Sequence, residues 1–132
     1  MRKKYIMLID DDPDESEFFQ IALERLPGLF DFGYAESANV AFSMLEEITP
    51  DYFFVDMNMP AINGLECISM LKKTDNVAEK PAYIYTTGYD ATLHKQALNY
   101  GAAGCLRKPS QPKALVEMLK KLFETGNPDV RQ

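Results

Sequence analysis

The sequence predicts a three-layer α/β domain in which a five-stranded parallel sheet carries helices on both faces. Two observations support this fold class. Five short apolar or aromatic runs alternate along the chain with longer segments of helical period, which is typical of a parallel sheet covered on both sides. The chain has 132 residues, of which 46% are hydrophobic and 26% are charged, as expected for one globular domain with its own core.

The predicted strands are the apolar runs at 4–9, 30–35, 52–55, 82–87 and 103–107. Helices are predicted over 13–26, from the Ser37 cap to Ile48, and over 65–73, 91–100 and 112–123. The first helix has the clearest start, with Asp12 as N-cap, Pro13 in the first turn and Glu15 three residues after the cap. Residues 125–132 lack periodicity and are expected to fray, which leaves a domain at 4–124.

Charge and composition exclude several classes of protein. The net charge is −6 and the basic residues are scattered, so we expect no direct nucleic-acid binding and no attraction to an anionic membrane. The apolar run near the N-terminus is too short for a signal peptide, and no segment is long enough to span a bilayer. Cys67 and Cys105 lie in apolar stretches and are expected to be free buried thiols. These features together predict a cytoplasmic protein.

Polar side chains follow four of the five predicted strands. They are Asp10, Asp11 and Asp12 after the first strand, Asp56 after the third, Thr86 and Thr87 at the end of the fourth, and Lys108 after the fifth. Because the carboxyl ends of parallel strands meet at one edge of the sheet, we expect these groups to lie close together. Each has a simpler interpretation alone, such as a cap or a turn residue, but the combination at one edge indicates a site.

This set of residues suits phosphoryl chemistry. Carboxylates such as Asp10, Asp11 and Asp56 could hold Mg²⁺, which would neutralise their mutual repulsion. A lysine provides a point charge for phosphate and a threonine hydroxyl can donate to a phosphoryl oxygen. An aspartate can itself attack phosphorus to give an acyl phosphate, and Asp56, at the tip of the most apolar strand, is the best candidate. Asp12 is expected to serve only as a helix cap.

At these positions the chain resembles the receiver domains of two-component response regulators, of the CheY-like kind. The resemblance covers residues 4–124 and is carried by "LIDDD", "VDMNMPAINGLE", the threonine after the fourth strand and "LRKPSQPKAL". It implies the flavodoxin-like strand order 2-1-3-4-5.

The resemblance also implies a role for each site residue. Asp56 is the phosphoacceptor, Asp10 and Asp11 are the acidic pair that holds Mg²⁺, and Asn58 is a metal ligand through its main-chain carbonyl. Thr86 is the switch hydroxyl, and Lys108 is the partner of the phosphoryl group. Pro60 and Gly64 shape the loop after the third strand, and the peptide before Pro109 is usually cis in the family.

Two positions depart from the family pattern. Thr86 and Thr87 are both candidates for the switch residue; the interval of 30 positions from Asp56 favours Thr86, and Thr87 then stands where the family usually has a smaller residue. Access of the phosphodonor is expected to be reduced there. Cys105 stands where many members have a Tyr or Phe that moves with the switch threonine, so a coupled aromatic switch is not expected.

The resulting functional interpretation is a receiver that takes a phosphoryl group from a phosphohistidine onto Asp56 with Mg²⁺. The expected partners are a sensor histidine kinase or a histidine phosphotransfer protein, and a downstream protein that binds helix 4, strand 5 and helix 5. A homodimer is a further alternative. No effector domain is expected after residue 124. The alternative is a phosphorylation-independent adaptor on the same fold. A phosphatase of the haloacid dehalogenase kind is disfavoured because Asn58 replaces its second aspartate, so the chain is expected to catalyse only its own phosphorylation and dephosphorylation.

Overall fold

The computed structural model describes residues 3–126, which form a doubly wound α/β domain. The strands are β1 (Lys4–Ile9), β2 (Phe30–Ala35), β3 (Tyr52–Val55), β4 (Ala82–Thr86) and β5 (Gly104–Arg107). The helices are α1 (Pro13–Glu24), α2 (Ala38–Met44), α3 (Gly64–Leu71), α4 (Ala91–Asn99) and α5 (Pro112–Thr125). All strand pairs are parallel and the order is β2-β1-β3-β4-β5. The predicted fold class and strand order are confirmed.

Alternate residues of each strand face opposite sides of the sheet and build two separate cores. On one side, Met7 and Ile9 pack with residues of α2, α3 and α4. On the other side, Ile6 and Leu8 pack with residues of α1 and α5. Because both faces are covered, most strand residues are apolar and buried, which explains the apolar runs in the sequence.

Several element boundaries differ from the prediction by a few residues. The first helix ends at Glu24 and the third begins at Gly64. The last helix ends at Thr125, and Gly126 is its C-cap, with a φ of 72° that glycine adopts without strain. Thr125 is therefore helical and does not belong to a frayed tail. The rest of the predicted tail, 127–132, lies outside the described residues.

Two helices begin at side-chain caps that the sequence prediction did not assign. Asn63 and Glu66 form a reciprocal capping box at α3, and Asp90 caps α4 by accepting a hydrogen bond from the Leu93 N–H at 2.7 Å. The predicted cap at α1 is confirmed, because the Asp12 side chain accepts from the Asp14 N–H. Asp12 therefore caps the helix, which distinguishes its role from that predicted for its two acidic neighbours, Asp10 and Asp11.

Three further expectations can be compared with the described residues. All peptide bonds from 3 to 126 are trans, so the cis bond expected between Lys108 and Pro109 is wrong; the trans form is the lower in free energy for most X-Pro bonds. Cys67 and Cys105 are free and buried, as predicted. No helix within residues 3–126 is long and apolar enough to cross a membrane.

Candidate functional site

The two central strands place Asp10 and Asp56 side by side. Ile9 of β1 is in register with Val55 of β3, and the Asp56 N–H donates to the Ile9 carbonyl at 2.8 Å. The residue that follows each strand is an aspartate, Asp10 after β1 and Asp56 after β3, and both are buried. The register of the sheet therefore brings two carboxylates together without a contribution from flexible loops.

Lys108 completes this group from the neighbouring edge of the sheet. Its backbone N–H donates to the Thr86 carbonyl at 2.9 Å, which extends the β4–β5 pairing by one residue. Its ammonium lies 2.8 Å from Asp10 Oδ2 and 3.4 Å from Asp56 Oδ1. The side chain is only 9% exposed, so these ion pairs are shielded from solvent and fix the position of the ammonium.

Three of the four predicted metal ligands form a compact acidic cluster. Asp10, Asp11 and Asp56 each offer one carboxylate oxygen, and these oxygens lie within 4.8 Å of one another. Asp11 is exposed whereas the other two are buried, so the cluster opens to solvent on one side. A set of hard oxygen donors with an open side fits Mg²⁺, which keeps several waters when it binds protein carboxylates. The main-chain carbonyl of Asn58, an exposed residue, stays a prediction as the fourth ligand.

Asp56 differs chemically from an ordinary surface aspartate. Burial is the largest effect on its carboxyl group, followed by the negative charge of Asp10, and together they raise its pKa to about 6. The ammonium of Lys108 acts in the opposite direction and offsets only part of this rise. For Lys108, burial lowers the pKa, but the hydrogen bond and charge of Asp10 and the charge of Asp56 raise it more. The site as a whole therefore attracts cations.

The two threonines have different environments. Thr86 is 1% exposed, and its Oγ1 accepts a hydrogen bond from the Gly88 N–H at 3.2 Å. Thr87 is exposed. Adjacent residues at a strand end point in opposite directions, and only Thr86 belongs to the last position of β4. The structure brings Thr86 to the same sheet edge as Asp56 and leaves Thr87 in contact with solvent.

The loop after β3 is held against the backbone of the candidate phosphoacceptor. Gly64 donates its N–H to the Met57 carbonyl at 2.9 Å. A Cβ at Gly64 would lie 2.5 Å from the Asp56 carbonyl oxygen and 2.9 Å from Met57 Cα, distances too short for any side chain. Ala61 adopts a φ of 69°, which is uncommon outside glycine and makes the sharp turn after Pro60.

Two residues near Lys108 were not assigned to the site from the sequence. Glu15 Oε2 lies 3.7 Å from Lys108 Nζ, and the ring centroid of Tyr85 lies 5.7 Å from the same nitrogen. The Tyr85 hydroxyl is buried and has no hydrogen-bond partner among residues 3–126. Glu15 follows the acidic strand end by one helical turn, a position from which a side chain can reach back to the same sheet edge. The spacing from Asp12 to Glu15 therefore indicates that Glu15 lies near the site.

These features agree with a known family. A model of the response regulator receiver domain matches residues 6–120. The chain belongs to this family. Receiver domains of response regulators bind Mg²⁺ at an acidic pocket and interact with histidine kinases and downstream effectors. They are generally not enzymes that act on external substrates.

Relatives of this receiver domain are known by sequence. The chain is 27% identical over 129 residues to the phosphate regulon transcriptional regulatory protein PhoB of Pseudomonas aeruginosa, an alignment that covers 95% of this chain and 54% of PhoB. It is 30% identical over 122 residues to the positive alginate biosynthesis regulatory protein of the same species, with coverages of 88% and 46%. The chain therefore spans about half the length of these two relatives.

Solved structures share the fold of this receiver domain. The chemotaxis response regulator CheY4 of Vibrio cholerae superposes with a TM-score of 0.81 at 21% identity, covering 92% of this chain and 99% of that one. The Mn²⁺-bound response regulator Rcp1 gives a TM-score of 0.78 at 18% identity, with coverages of 98% and 97%. The phosphorylated cyanobacterial phytochrome response regulator RcpA gives 0.82 at 15% identity, with coverages of 96% and 97%.

Proposed function

We propose that this receiver domain accepts a phosphoryl group on Asp56 from a phosphohistidine of a sensor histidine kinase or a histidine phosphotransfer protein. The observation that carries the proposal is the position of the Asp56 carboxylate, which lies at the end of a central strand, 3.4 Å from Lys108 Nζ and within the acidic cluster. We also propose that residues 4–124 form the receiver domain.

In the transfer, a carboxylate oxygen of Asp56 attacks phosphorus and forms an acyl phosphate. The phosphorus–nitrogen bond of the donor breaks, and its electron pair stays on the imidazole nitrogen. The transferred group carries negative charge on its oxygens throughout. Lys108 provides a fixed positive charge beside the attacking carboxylate, and the burial of its side chain increases the strength of that interaction.

Mg²⁺ would be held by Asp10, Asp11, Asp56 and the main-chain carbonyl of Asn58. When bound, it supplies positive charge for the phosphoryl oxygens and offsets the repulsion between the carboxylates. The Mn²⁺-bound form of Rcp1 and the phosphorylated form of RcpA, two proteins of the same fold, support the metal and the phosphoryl group as parts of this proposal.

Phosphorylation would be read on a surface remote from Asp56. The Thr86 hydroxyl, which accepts from the Gly88 N–H at 3.2 Å, would turn to donate to the phosphoryl group, and the loop between β4 and α4 would lose that contact. We propose that a downstream protein binds the face of α4, β5 and α5 and senses this change, and that a second copy of the chain is a further candidate for the same face. The cytoplasm, the usual compartment of the family, fits these partners.

The test is covalent labelling followed by intact-mass measurement. Incubation with Mg²⁺ and acetyl phosphate should add one phosphoryl group to the chain, and Asp56→Asn should abolish the addition. Asp14→Asn is the matched control, because Asp14 is an exposed acid at the same sheet edge and should leave labelling intact. Chelation of the metal should prevent labelling in all variants.

Equal labelling of Asp56→Asn would refute the assignment. Failure of the wild-type chain to label under any of these conditions would instead favour the phosphorylation-independent adaptor.

A further inference from the structure

Glu15 is an acidic side chain next to the site that has no part in the proposed transfer. It lies in the first turn of α1, and its Oε2 is 3.7 Å from Lys108 Nζ. Its side chain is 23% exposed and that of Lys108 is 9% exposed. The pair is therefore protected from full solvent screening, unlike an ion pair on an open surface.

The ammonium of Lys108 is shared among three carboxylates. It lies 2.8 Å from Asp10, 3.4 Å from Asp56 and 3.7 Å from Glu15. The centroid of the Tyr85 ring lies 5.7 Å from the same nitrogen. An ammonium has three N–H donors and one positive charge, so each group of the protein around Lys108 competes with any oxygen that enters the site.

We propose that Glu15 is a positioning residue that draws Lys108 towards α1 and thereby slows phosphoryl transfer to Asp56. This inference rests on the proposed function, because it concerns the rate of that transfer. Lys108 must direct an N–H and its charge to the incoming phosphoryl oxygens, whereas the attraction of Glu15 opposes this movement. The negative charge of Glu15 also cancels part of the field that Lys108 presents to the phosphodonor.

Asp10 and Asp56 cannot be varied to test this idea, because both belong to the proposed metal and phosphoryl site. Glu15 can be neutralised alone as Glu15→Gln, which keeps the size of the side chain. Asp14→Asn is again the matched control, since Asp14 lies in the same first turn of α1 and makes the same kind of contribution to the helix dipole.

The first measurement is the rate of labelling by acetyl phosphate, followed by intact mass over time. Glu15→Gln should be phosphorylated about three- to tenfold faster than the wild-type chain, as expected for removal of one charge from a partly solvated site. Asp14→Asn should change the rate by less than about twofold. An unchanged or slower rate in Glu15→Gln would overturn the proposal.

A second comparison shows whether Glu15 acts through Lys108. In a Lys108→Gln background, Glu15→Gln should accelerate labelling by a clearly smaller factor than in the wild type, whereas in a Lys108→Arg background, which keeps the charge, the full acceleration should persist. An undiminished acceleration in the Lys108→Gln chain would contradict a role through the lysine.

Thermal unfolding of the metal-free protein tests the contact without any phosphoryl group. Glu15→Gln should raise the melting temperature more in the Lys108→Gln chain than in the wild type. In the Lys108→Gln chain, Glu15 has lost its cation but still faces the neighbouring carboxylates, so removal of its charge relieves more repulsion. Equal changes in the two backgrounds would refute the ion pair. If the wild-type chain takes no phosphoryl group, the proposed function fails and the kinetic role fails with it, while this cycle still decides whether Glu15 engages Lys108.

Discussion

Strand β3 is flanked by two buried aspartates, one at each end. Asp51 precedes the strand and Asp56 follows it, and each is 8% exposed. Each also has a lysine close by, Lys80 at 3.5 Å from Asp51 and Lys108 at 3.4 Å from Asp56. Residue type, burial and a nearby cation are therefore the same at the two ends of the strand.

The difference lies in the other groups around each carboxylate. Asp51 Oδ2 accepts a hydrogen bond from the Tyr5 N–H at 2.8 Å, and its own N–H donates to the Tyr5 carbonyl at 2.7 Å. Asp56 instead faces the carboxylates of Asp10 and Asp11. A buried charge with backbone donors stabilises the fold, whereas a buried charge among like charges costs stability and is available for chemistry.

The largest expected effect tests the structural end. Asp51→Ala should lower the free energy of unfolding by about 3 kcal/mol, because it leaves a backbone donor and a lysine without their carboxylate. Asp51→Asn, which can still accept from the Tyr5 N–H, should cost less. Urea denaturation measures both variants. A loss below the effect of an ordinary surface substitution would show that Asp51 is no more structural than Asp56.

The next prediction concerns the pH dependence of the functional end in metal-free protein. Burial and Asp10 raise the pKa of Asp56 from 3.8 to about 6, so between these values the folded state binds a proton that the unfolded state has released. Stability should therefore fall as pH rises through this range, by about 3 kcal/mol. Denaturation of wild type and Asp56→Asn with a chelator present should show a steeper fall in the wild type. Parallel curves would contradict the raised pKa.

A smaller effect is expected from the metal. Mg²⁺ at about ten times its Kd should stabilise the folded chain by about 1.4 kcal/mol, since a ligand of the folded state alone shifts the equilibrium by mass action. Asp11→Ala should weaken this response. Asp12→Ala should keep the response but lose about 1 kcal/mol through the missing cap. The opposite pattern in melting temperature would mean that the roles of Asp11 and Asp12 are exchanged.

The smallest effects separate the two threonines. Thr86→Ala should still allow phosphorylation but should weaken the chemical-shift changes that reach α4 and β5, because the hydroxyl contact is gone. Thr87→Ala should open the approach to Asp56, speed phosphorylation and keep those shifts. Two-dimensional NMR of the phosphorylated variants distinguishes the cases. Loss of the long-range shifts in Thr87→Ala alone would reverse the assignment.

Much of the site could be predicted because it depends on strand ends. Asp10, Asp56, Thr86 and Lys108 each end or follow a strand, and parallel topology brings such positions to one edge whatever the details of the helices. The alternation of strand side chains likewise separates Thr86 from Thr87. These features depend on the backbone period, which the apolar pattern of the sequence reveals directly.

The remaining contacts depend on side-chain direction and on loop geometry. The sequence predicts Glu15 as part of a helix start, since an acid three residues after a cap has that role in many helices. Only the packing of α1 against the sheet turns its side chain towards Lys108. The reciprocal cap of Asn63 and Glu66 depends on the directions of both side chains, which the sequence pattern alone does not specify. The bond from the Gly88 N–H to Thr86 depends on a turn whose shape the sequence does not specify.

Gly64 has a consequence for the tolerance of this chain to mutation. It carries no functional group, yet a single methyl group there would meet the Asp56 carbonyl at 2.5 Å, so any substitution must push the backbone of Asp56 out of place. In a saturation screen scored by signalling output, Gly64 should therefore be as intolerant as the aspartate itself, and even alanine should be rejected. Loss of function can thus arise from a substitution at Gly64, although no charge, hydrogen-bonding side chain or metal ligand has changed.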